Sequence, residues 1–313
     1  MKRLILASTI LSVLCAPVVA SGAAGKVKDA AKTAGKAVAK AAVKTAKVLA
    51  GKDEPYWVEP MKKVHAKFTG TKGTFAHFGD SITVSMAFWA SMKWSHKNMD
   101  KETQAAFDLV KGYMKDDCWH KWKGSRFGNT GMMKMSWCMK NCQKWLKSLN
   151  PEVVLIMFGT NDLGGVKVAD YETQTRQSVL SCLENGSVVI LSTIPPRHGA
   201  DAKVKSYVEV TRKVAKELKV PLCDFYKACM DRRPEDWSGR HAKFKDVPGG
   251  TYEVPTLVSR DGVHPSNPKK WQGDYSEEGL KHNGFVLRNY VVLHSYADVL
   301  RKVVKPEVKA KAK

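Results

Sequence analysis

The sequence Phe75-Ala76-His77-Phe78-Gly79-Asp80-Ser81-Ile82 contains an apolar run that stops at Gly-Asp-Ser, after which apolar residues recur at helical spacing. This pattern predicts a β-strand that passes through a tight turn into a helix from Ile82 to about Trp94. A serine at such a junction lies at a helix N-terminus, where backbone N–H groups stabilise an anion beside its hydroxyl. Ser81 is therefore either an ordinary capping residue or the nucleophile of an enzyme.

Further apolar strands follow Ser81 at intervals, and segments with helical periodicity separate them. The predicted strands are residues 153–158, 188–194 and 220–225, and the predicted helices include 168–183, 207–218 and 283–304. Such alternation predicts an α/β fold with a parallel sheet covered by helices on both faces. Ligands of these sheets bind at the carboxyl ends of the strands, where Ser81 and Asn161 both fall. The irregular segment 230–259 is expected to form a long loop near that site.

The composition of the chain divides it into four segments. Residues 1–20 combine Lys2 and Arg3 with an apolar run that ends in small residues, which is typical of a cleavable export signal. Residues 21–55 are rich in alanine and lysine and predict a flexible tether. The folded domain is predicted over residues 56–304, and a basic tail over 305–313. We therefore expect a secreted or periplasmic protein without a transmembrane segment after signal removal.

The net charge of +22 is concentrated towards the two ends of the chain. Residues 21–55 hold eight lysines against three acidic residues, and residues 301–313 hold six basic residues against Glu307. Such segments attract anionic polymers or membrane surfaces, including acidic polysaccharides, lipid headgroups and nucleic acid. The alternative interpretation of residues 21–55 is a solubilising spacer between signal and domain.

Six cysteines remain after the export signal, which contains Cys15; they are Cys118, Cys138, Cys142, Cys182, Cys223 and Cys229. An even number in an exported chain allows disulfides, and buried thiols are the alternative. Cys138 and Cys142 lie one helical turn apart, yet no second Cys/His pair supplies further ligands at zinc-site spacing. We therefore expect no metal site.

The sequence also supplies the groups that would activate Ser81. A serine hydroxyl becomes a strong nucleophile when an imidazole takes its proton, and a carboxylate commonly orients that imidazole. Asp261 and His264, three residues apart in one loop, provide both groups. The oxyanion of a tetrahedral intermediate also needs hydrogen-bond donors, which the Ser81 N–H, the Gly131 N–H and the Asn161 amide are placed to supply.

Four sequence blocks resemble those of the SGNH hydrolases, also called GDSL esterases and lipases. They are Gly79-Asp80-Ser81-Ile82, a glycine within Asn129-Thr130-Gly131, Gly159-Thr160-Asn161-Asp162 and Asp261-Gly262-Val263-His264. The resemblance spans about residues 74–304 and implies the flavodoxin-like three-layer α/β/α sandwich of that family. It implies Ser81 as nucleophile, His264 as base and Asp261 as the orienting carboxylate. It also implies Gly131 and Asn161 as oxyanion donors with Ser81, and Gly128 is the alternative glycine.

The resemblance implies a serine esterase that forms an acyl-serine intermediate and needs no metal or organic cofactor. A carbohydrate O-acetyl esterase is the narrower expectation, and Trp237, Trp271 and Tyr275 are candidates for stacking on sugar rings. The alternatives are a lipid acylhydrolase or thioesterase, and a non-catalytic protein that binds anionic polymers on the same scaffold. Asp80 and Asp162 are expected to bond nearby backbone, and His77 is expected to be a packed core residue.

Overall fold

The computed structural model describes residues 54–124 and 130–305. The predicted export signal lies outside the described residues, and so do most of the predicted tether, most of the basic tail and Gly128.

Four parallel strands form the central sheet: β1 (Phe75–Gly79), β2 (Val153–Met157), β3 (Val188–Ser192) and β4 (Leu222–Cys223). They lie in the order β1-β2-β3-β4, with Phe75 opposite Val153 and Val153 opposite Val188. Every residue of β1, β2 and β3 is buried, as expected of strands covered on both faces. The predicted parallel α/β fold is confirmed.

Helices supply the other two layers of the domain. They are α1 (Val58–His65), α2 (Ser81–Val84), α3 (Lys101–Tyr113), α4 (Met135–Leu149), α5 (Val168–Glu184), α6 (Asp201–Glu217), α7 (Phe225–Arg232), α8 (Glu277–His282) and α9 (Gly284–Val299), which continues as a π-helical turn (Leu300–Val304). Among the described residues, none of these helices combines the length and apolarity that crossing a membrane requires.

Alternate side chains of β1 contact different helix layers. The Phe75 ring stacks on Tyr296 of α9 at 4.1 Å between centroids, whereas the Phe78 ring packs against Trp145 of α4 at 4.7 Å. Successive odd and even positions of a strand point to opposite faces of the sheet, so α9 and α4 cover opposite faces. Helices α4, α5 and α6 pack side by side in the layer that contains Trp145.

The predicted helix from Ile82 to Trp94 is wrong in its length. Helix α2 ends at Val84, Ser85 has the extended ψ of 136°, and a separate 3₁₀ turn covers Ala90–Lys93. The Phe88 and Trp89 side chains between them are fully buried, and Trp89 takes a positive φ of 62°. Burial of these two rings in the core therefore outweighs the helical pattern of the local sequence.

The six cysteines of the domain are buried thiols, as one of the two alternatives proposed, and the described residues contain no disulfide. Three of them, Cys138, Cys142 and Cys182, lie where α4 packs on α5. Burial raises the pKa of each of these three thiols. Raised pKa values keep the thiols protonated and unreactive.

Candidate active site

The turn between β1 and α2 places Ser81 at the carboxyl end of the sheet. Asp80 caps α2, because its Oδ1 accepts a hydrogen bond from the Ile82 N–H at 3.1 Å. This is the backbone role that the sequence predicted for Asp80. Ser81 is consequently the first residue of α2, and its side chain is half-buried.

Three side chains from distant parts of the chain form one hydrogen-bonded row. The Ser81 Oγ lies 2.8 Å from His264 Nε2, and His264 Nδ1 lies 2.7 Å from Asp261 Oδ2. Ser81 follows the first strand, whereas Asp261 and His264 lie in a loop beyond the last strand. The structure therefore brings together the hydroxyl, imidazole and carboxyl groups that the sequence singled out.

The Asp261 carboxylate is fixed by hydrogen bonds to both of its oxygens. Oδ1 accepts from the Ser259 hydroxyl at 2.7 Å, the Val263 N–H at 2.7 Å and the His264 N–H at 2.9 Å. Burial alone would raise the pKa of Asp261, but the hydrogen bonds from His264, Ser259 and Val263 outweigh it and hold the pKa well below the usual aspartate range. Asp261 is thus an ionised, oriented acceptor for the imidazole N–H.

Two arginines, which sequence reasoning missed, brace the loop that carries Asp261. Arg240 donates to the carbonyl oxygens of Arg260 and Asp261, both at 2.9 Å. Arg260 donates to the Gly249 and Gly250 carbonyls at 2.8 and 2.9 Å. These contacts tie the catalytic loop to the long irregular segment before it, which contributes to the site as predicted.

Two of the three expected oxyanion donors, the Ser81 N–H and the Asn161 amide, converge on one acceptor, and that acceptor is a backbone carbonyl. The Ser81 N–H donates to the Gly131 carbonyl oxygen at 2.7 Å. The Asn161 amide donates to the same oxygen at 3.2 Å and to the Met133 carbonyl at 3.1 Å. The Gly131 carbonyl oxygen thus lies where a substrate oxyanion would accept hydrogen bonds, whereas the sequence led us to expect its N–H there.

Gly131 can approach Ser81 this closely because it has no side chain. Its φ is +96°, and an added Cβ would lie 3.2 Å from both the Cα and Cβ of Ser81. A residue with a side chain would be strained in this backbone conformation and would press on the serine. Glycine also leaves the peptide free to rotate between conformations that other residues rarely adopt.

A cavity of about 360 Å³ opens beside Ser81 and His264. Its other lining residues are Ser85, Ala87, Tyr252, Glu253, Asn267, Gln272 and Phe285. The Tyr252 side chain is 44% exposed and stands edge-on to the His264 ring at 6.2 Å. No spacing or motif singled out these residues, although Tyr252 and Glu253 belong to the loop predicted to lie near the site.

The three aromatic residues predicted to bind substrate do not line this cavity. Trp237 and Tyr275 belong to the buried core, and Trp271 stacks on His282 at 5.0 Å. Trp237 lies beneath the catalytic loop, where its carbonyl accepts from the N–H groups of Leu257 and Val258. The prediction relied on proximity in sequence to His264, and these rings instead pack against other residues of the domain. Tyr252 and Phe285 are the aromatic residues at the cavity.

A cluster of buried ionisable groups lies beneath the nucleophile. Arg288 of α9 donates to the Ile82 carbonyl at 2.6 Å and the Thr83 hydroxyl at 2.7 Å. Burial raises the pKa of Asp80 to about 6, while the positive charge of Arg288 opposes that rise. Burial likewise lowers the pKa of Arg288 to about 9. No local sequence pattern indicates that Asp80 and Arg288 lie close together, because they are more than 200 positions apart.

Two other residues in this region have structural roles. Lys123 is buried and donates to the Ser85 and Phe88 carbonyls at 2.8 and 2.5 Å. Burial lowers the pKa of Lys123 to about 7. His77 is a packed core residue, as expected, with its ring edge-on to Phe75 at 4.4 Å. Burial holds the pKa of His77 well below its ordinary value.

Asp162 connects the Asn161 turn to α4. Its carboxylate oxygens accept from the Met135 N–H at 3.0 and 3.2 Å, so it bonds backbone, as predicted. Burial raises the pKa of Asp162 to about 6. No group of three or more His, Cys, Asp or Glu residues suited to a metal ion occurs within residues 54–124 and 130–305.

Comparison with known families decides what kind of protein carries this site. A model of the GDSL-like Lipase/Acylhydrolase family matches residues 77–268, which is more than half of the chain. The chain belongs to this family. It is a serine hydrolase of the GDSL, or SGNH, type, and the resemblance noted from its sequence blocks is confirmed.

Solved structures similar to this GDSL-type hydrolase include three esterases or lipases. A psychrotrophic esterase, EstA, from Pseudoalteromonas sp. is 16% identical with a TM-score of 0.45, covering 73% of this chain and 99% of its own. A GDSL-like lipase from Bacteroides thetaiotaomicron is 15% identical with a TM-score of 0.43, covering 78% and 100%. An acetyl xylan esterase, AlAXEase, is 18% identical with a TM-score of 0.45, covering 72% and 98%. Comparison with curated protein sequences gave no match.

Proposed function

We propose that this GDSL-type hydrolase cleaves carboxylic esters through an acyl-Ser81 intermediate. The observation that carries the proposal is the row from Ser81 Oγ through His264 to Asp261, with separations of 2.8 and 2.7 Å. Both distances are those of direct hydrogen bonds, as proton transfer between a nucleophile and its base requires.

In the proposed reaction His264 Nε2 takes the Ser81 proton while Oγ bonds to the ester carbonyl carbon. The tetrahedral intermediate collapses, the bond to the alcohol oxygen breaks, and the imidazolium gives its proton to the departing alkoxide. Water then loses a proton to His264 as it attacks the acyl-serine, and the acid leaves as Ser81 regains its proton. Asp261 keeps Nδ1 protonated and stabilises the positive imidazolium throughout.

The oxyanion hole of this mechanism consists of the Ser81 N–H, the Asn161 amide and the Gly131 N–H. The first two donors already share one acceptor, the Gly131 carbonyl oxygen. The proposal therefore includes a rotation of the peptide group that carries the Gly131 carbonyl. This rotation moves the oxygen away and leaves the two donors available to the substrate. The two donors are then aimed at the same point, as stabilisation of a developing oxyanion requires.

We propose a carbohydrate O-acetyl ester as the substrate class. The cavity offers hydrogen-bonding groups from Glu253, Asn267 and Gln272 and an exposed aromatic face from Tyr252. Polar groups together with an aromatic ring suit the hydroxyls and apolar faces of a sugar. A long acyl chain would need a larger apolar surface than Ala87 and Phe285 provide. Acetylated xylan, a long-chain acyl ester and an acyl thioester, compared on the purified protein, distinguish these substrates.

Replacement of the nucleophile tests the hydrolase mechanism. Ser81→Ala should abolish hydrolysis of p-nitrophenyl acetate and leave the thermal unfolding curve near wild type. Ser206→Ala is the matched control, because its exposed hydroxyl lies on α6 and donates to the Ala202 carbonyl of the preceding helical turn. Retained turnover in Ser81→Ala, with normal folding, would remove Ser81 from the mechanism.

We further propose that the enzyme is exported, with residues 1–20 removed as a signal peptide. The support is the sequence pattern of Lys2 and Arg3, the apolar run and the small residues that end at Ala20. An O-acetyl esterase acting on extracellular polysaccharide would need such a location.

A further inference from the structure

Helix α4 has an unusual charge distribution for a surface helix. It contains three lysines, Lys140, Lys144 and Lys147, and no acidic residue. All three are exposed, and their spacing of four and three residues places them on one side of the helix. They form a row about 10 Å long, at 1.5 Å rise per residue.

The lysine row of α4 differs in its ion pairing from the neighbouring helices α5 and α6. On α5 and α6, Arg176 pairs with Glu172 and Glu217, and Lys213 pairs with Glu172. Within the part of the chain that the structure describes, no ion pair involves the lysine row of α4. Like charges one turn apart destabilise a helix, and the helix dipole favours a cation only in the last turn, near Lys147. Helix stability therefore does not account for Lys140 and Lys144.

A cleft of about 540 Å³ lies beside the C-terminal part of this row, between α4 and α5. Lys144 and Lys147 line it together with Gln143, Leu146, Ser181 and Asn185. A fourth exposed lysine comes from another part of the chain, because the backbone of Lys67 packs against Gly186, next to Asn185. We call Lys67, Lys140, Lys144 and Lys147 the lysine face.

The cleft lies away from the catalytic centre. The C-terminal end of α4 leads directly into the beginning of β2, whereas Ser81 follows the end of β1. Because β1 and β2 are parallel, the cleft and Ser81 lie at opposite ends of the sheet. A ligand in the cleft therefore leaves the catalytic cavity open.

We infer that the lysine face binds an acidic polysaccharide. Two lysines that line the cleft, Lys144 and Lys147, and two further exposed lysines on neighbouring residues provide charge complementarity to a polymer that carries repeated carboxylate or sulfate groups. The neutral groups between them, the Gln143 and Asn185 amides and the Ser181 hydroxyl, suit a chain that also carries hydroxyls. Arginine, which recognises phosphate bidentately and is favoured on nucleic-acid surfaces, is absent from the face. Binding here would hold the enzyme on a polymer while Ser81 acts on its esters.

Binding of the full-length protein to polygalacturonate, measured by biolayer interferometry at 0.15 M salt, tests the inference. The test variant is K67Q/K140Q/K144Q/K147Q. The matched control K101Q/K205Q/K216Q/K245Q removes the same total charge from exposed lysines on other surfaces. Because each lost cation removes one counterion-releasing contact, Kd should rise about 10-fold or more in the test variant and about 2-fold or less in the control.

Two further arms separate the partner class and the catalytic proposal. Duplex DNA and phosphatidylserine vesicles should bind wild type more weakly than polygalacturonate does. Ser81→Ala should bind the polymer as wild type does, and the test variant should hydrolyse p-nitrophenyl acetate normally, so failure of the catalytic proposal leaves this result intact. Equal losses in the two lysine variants, no loss in the test variant, or preference for DNA or vesicles would each overturn the inference.

Discussion

At the scale of single residues, the conformation of Gly131 is what differs between the observed site and the site that the proposed mechanism uses. Its carbonyl oxygen accepts hydrogen bonds from the Ser81 N–H and the Asn161 amide. The peptide group that carries this carbonyl must rotate before a substrate can accept the same hydrogen bonds. We expect Gly131→Ala to lower kcat/KM on the order of 100-fold, the effect of losing one oxyanion donor. The physical reason is the positive φ combined with a Cβ only 3.2 Å from Ser81.

Gly112→Ala is the control for this substitution, since an added Cβ at Gly112 meets nothing within 4 Å. Its activity should equal that of wild type. Initial rates on p-nitrophenyl acetate, with circular dichroism to check folding, measure both variants. Full activity in Gly131→Ala would show that stabilisation of the oxyanion does not depend on the conformation of Gly131.

The pH dependence of hydrolysis is a second prediction at this scale. The hydrogen bonds on Asp261 hold its pKa well below the usual range, so Asp261 stays ionised throughout the working pH range. Protonation of Asp261 should therefore cause no loss of kcat/KM across the working pH range. Asp261→Asn should lower kcat on the order of 10³-fold or more, because the amide no longer stabilises the imidazolium. A loss of wild-type kcat/KM with falling pH that Asp261→Asn does not show would assign that loss to Asp261 and contradict the prediction.

At the scale of elements, the secondary structure of the segment after Ser81 does not follow from its local sequence. The residues from Ile82 to Trp94 have a helical pattern, and the sequence predicted one helix. The conformation depends instead on Lys123 and Arg288, which bind the carbonyls of Ser85, Phe88 and Ile82 from distant positions. Such long-range contacts leave no local pattern, so neither the short α2 nor these two cations was predicted.

Arg288→Met should destabilise the protein in a pH-dependent way. Burial raises the pKa of Asp80 to about 6, and loss of Arg288 should raise it further. Since the carboxyl of unfolded aspartate ionises near pH 4, a raised native pKa means that stability falls as pH rises through this range. We expect a loss of about 3 kcal/mol at pH 8, where Asp80 must ionise without its counter-charge, and a smaller loss at pH 5.

Urea unfolding at the two pH values measures this difference. The double variant Asp80→Asn/Arg288→Met should recover part of the stability lost at pH 8, because position 80 then has no carboxyl group to ionise. It should not recover all of it, since Arg288 also bonds the Ile82 carbonyl and the Thr83 hydroxyl. Equal losses at pH 5 and pH 8 would mean that Asp80 and Arg288 are not coupled.

At the scale of the whole molecule, the parallel sheet was predictable because its strands are continuous apolar runs separated by helical periodicity. Placing Ser81 and Asn161 at the same end of the sheet followed from that topology. The cavity wall was not predictable, because Tyr252 and Gln272 come from irregular segments whose path depends on contacts such as those of Arg260. Trp271, predicted to bind sugar, instead packs on His282, and no local pattern in the sequence indicates this contact.

The proposed export and the six buried thiols together lead to a prediction for the whole chain. Cys15 lies in the predicted signal, and the other six cysteines are buried thiols. Exported protein should therefore begin at Ser21 and yield six thiols with a thiol reagent in denaturant but almost none when folded, since the folded chain buries them. The full chain, purified from a strain that cannot process signals, is the control and should yield seven. Four or fewer thiols in the denatured exported protein would mean that disulfides form in the oxidising compartment, and an intact N-terminus would contradict cleavage after Ala20.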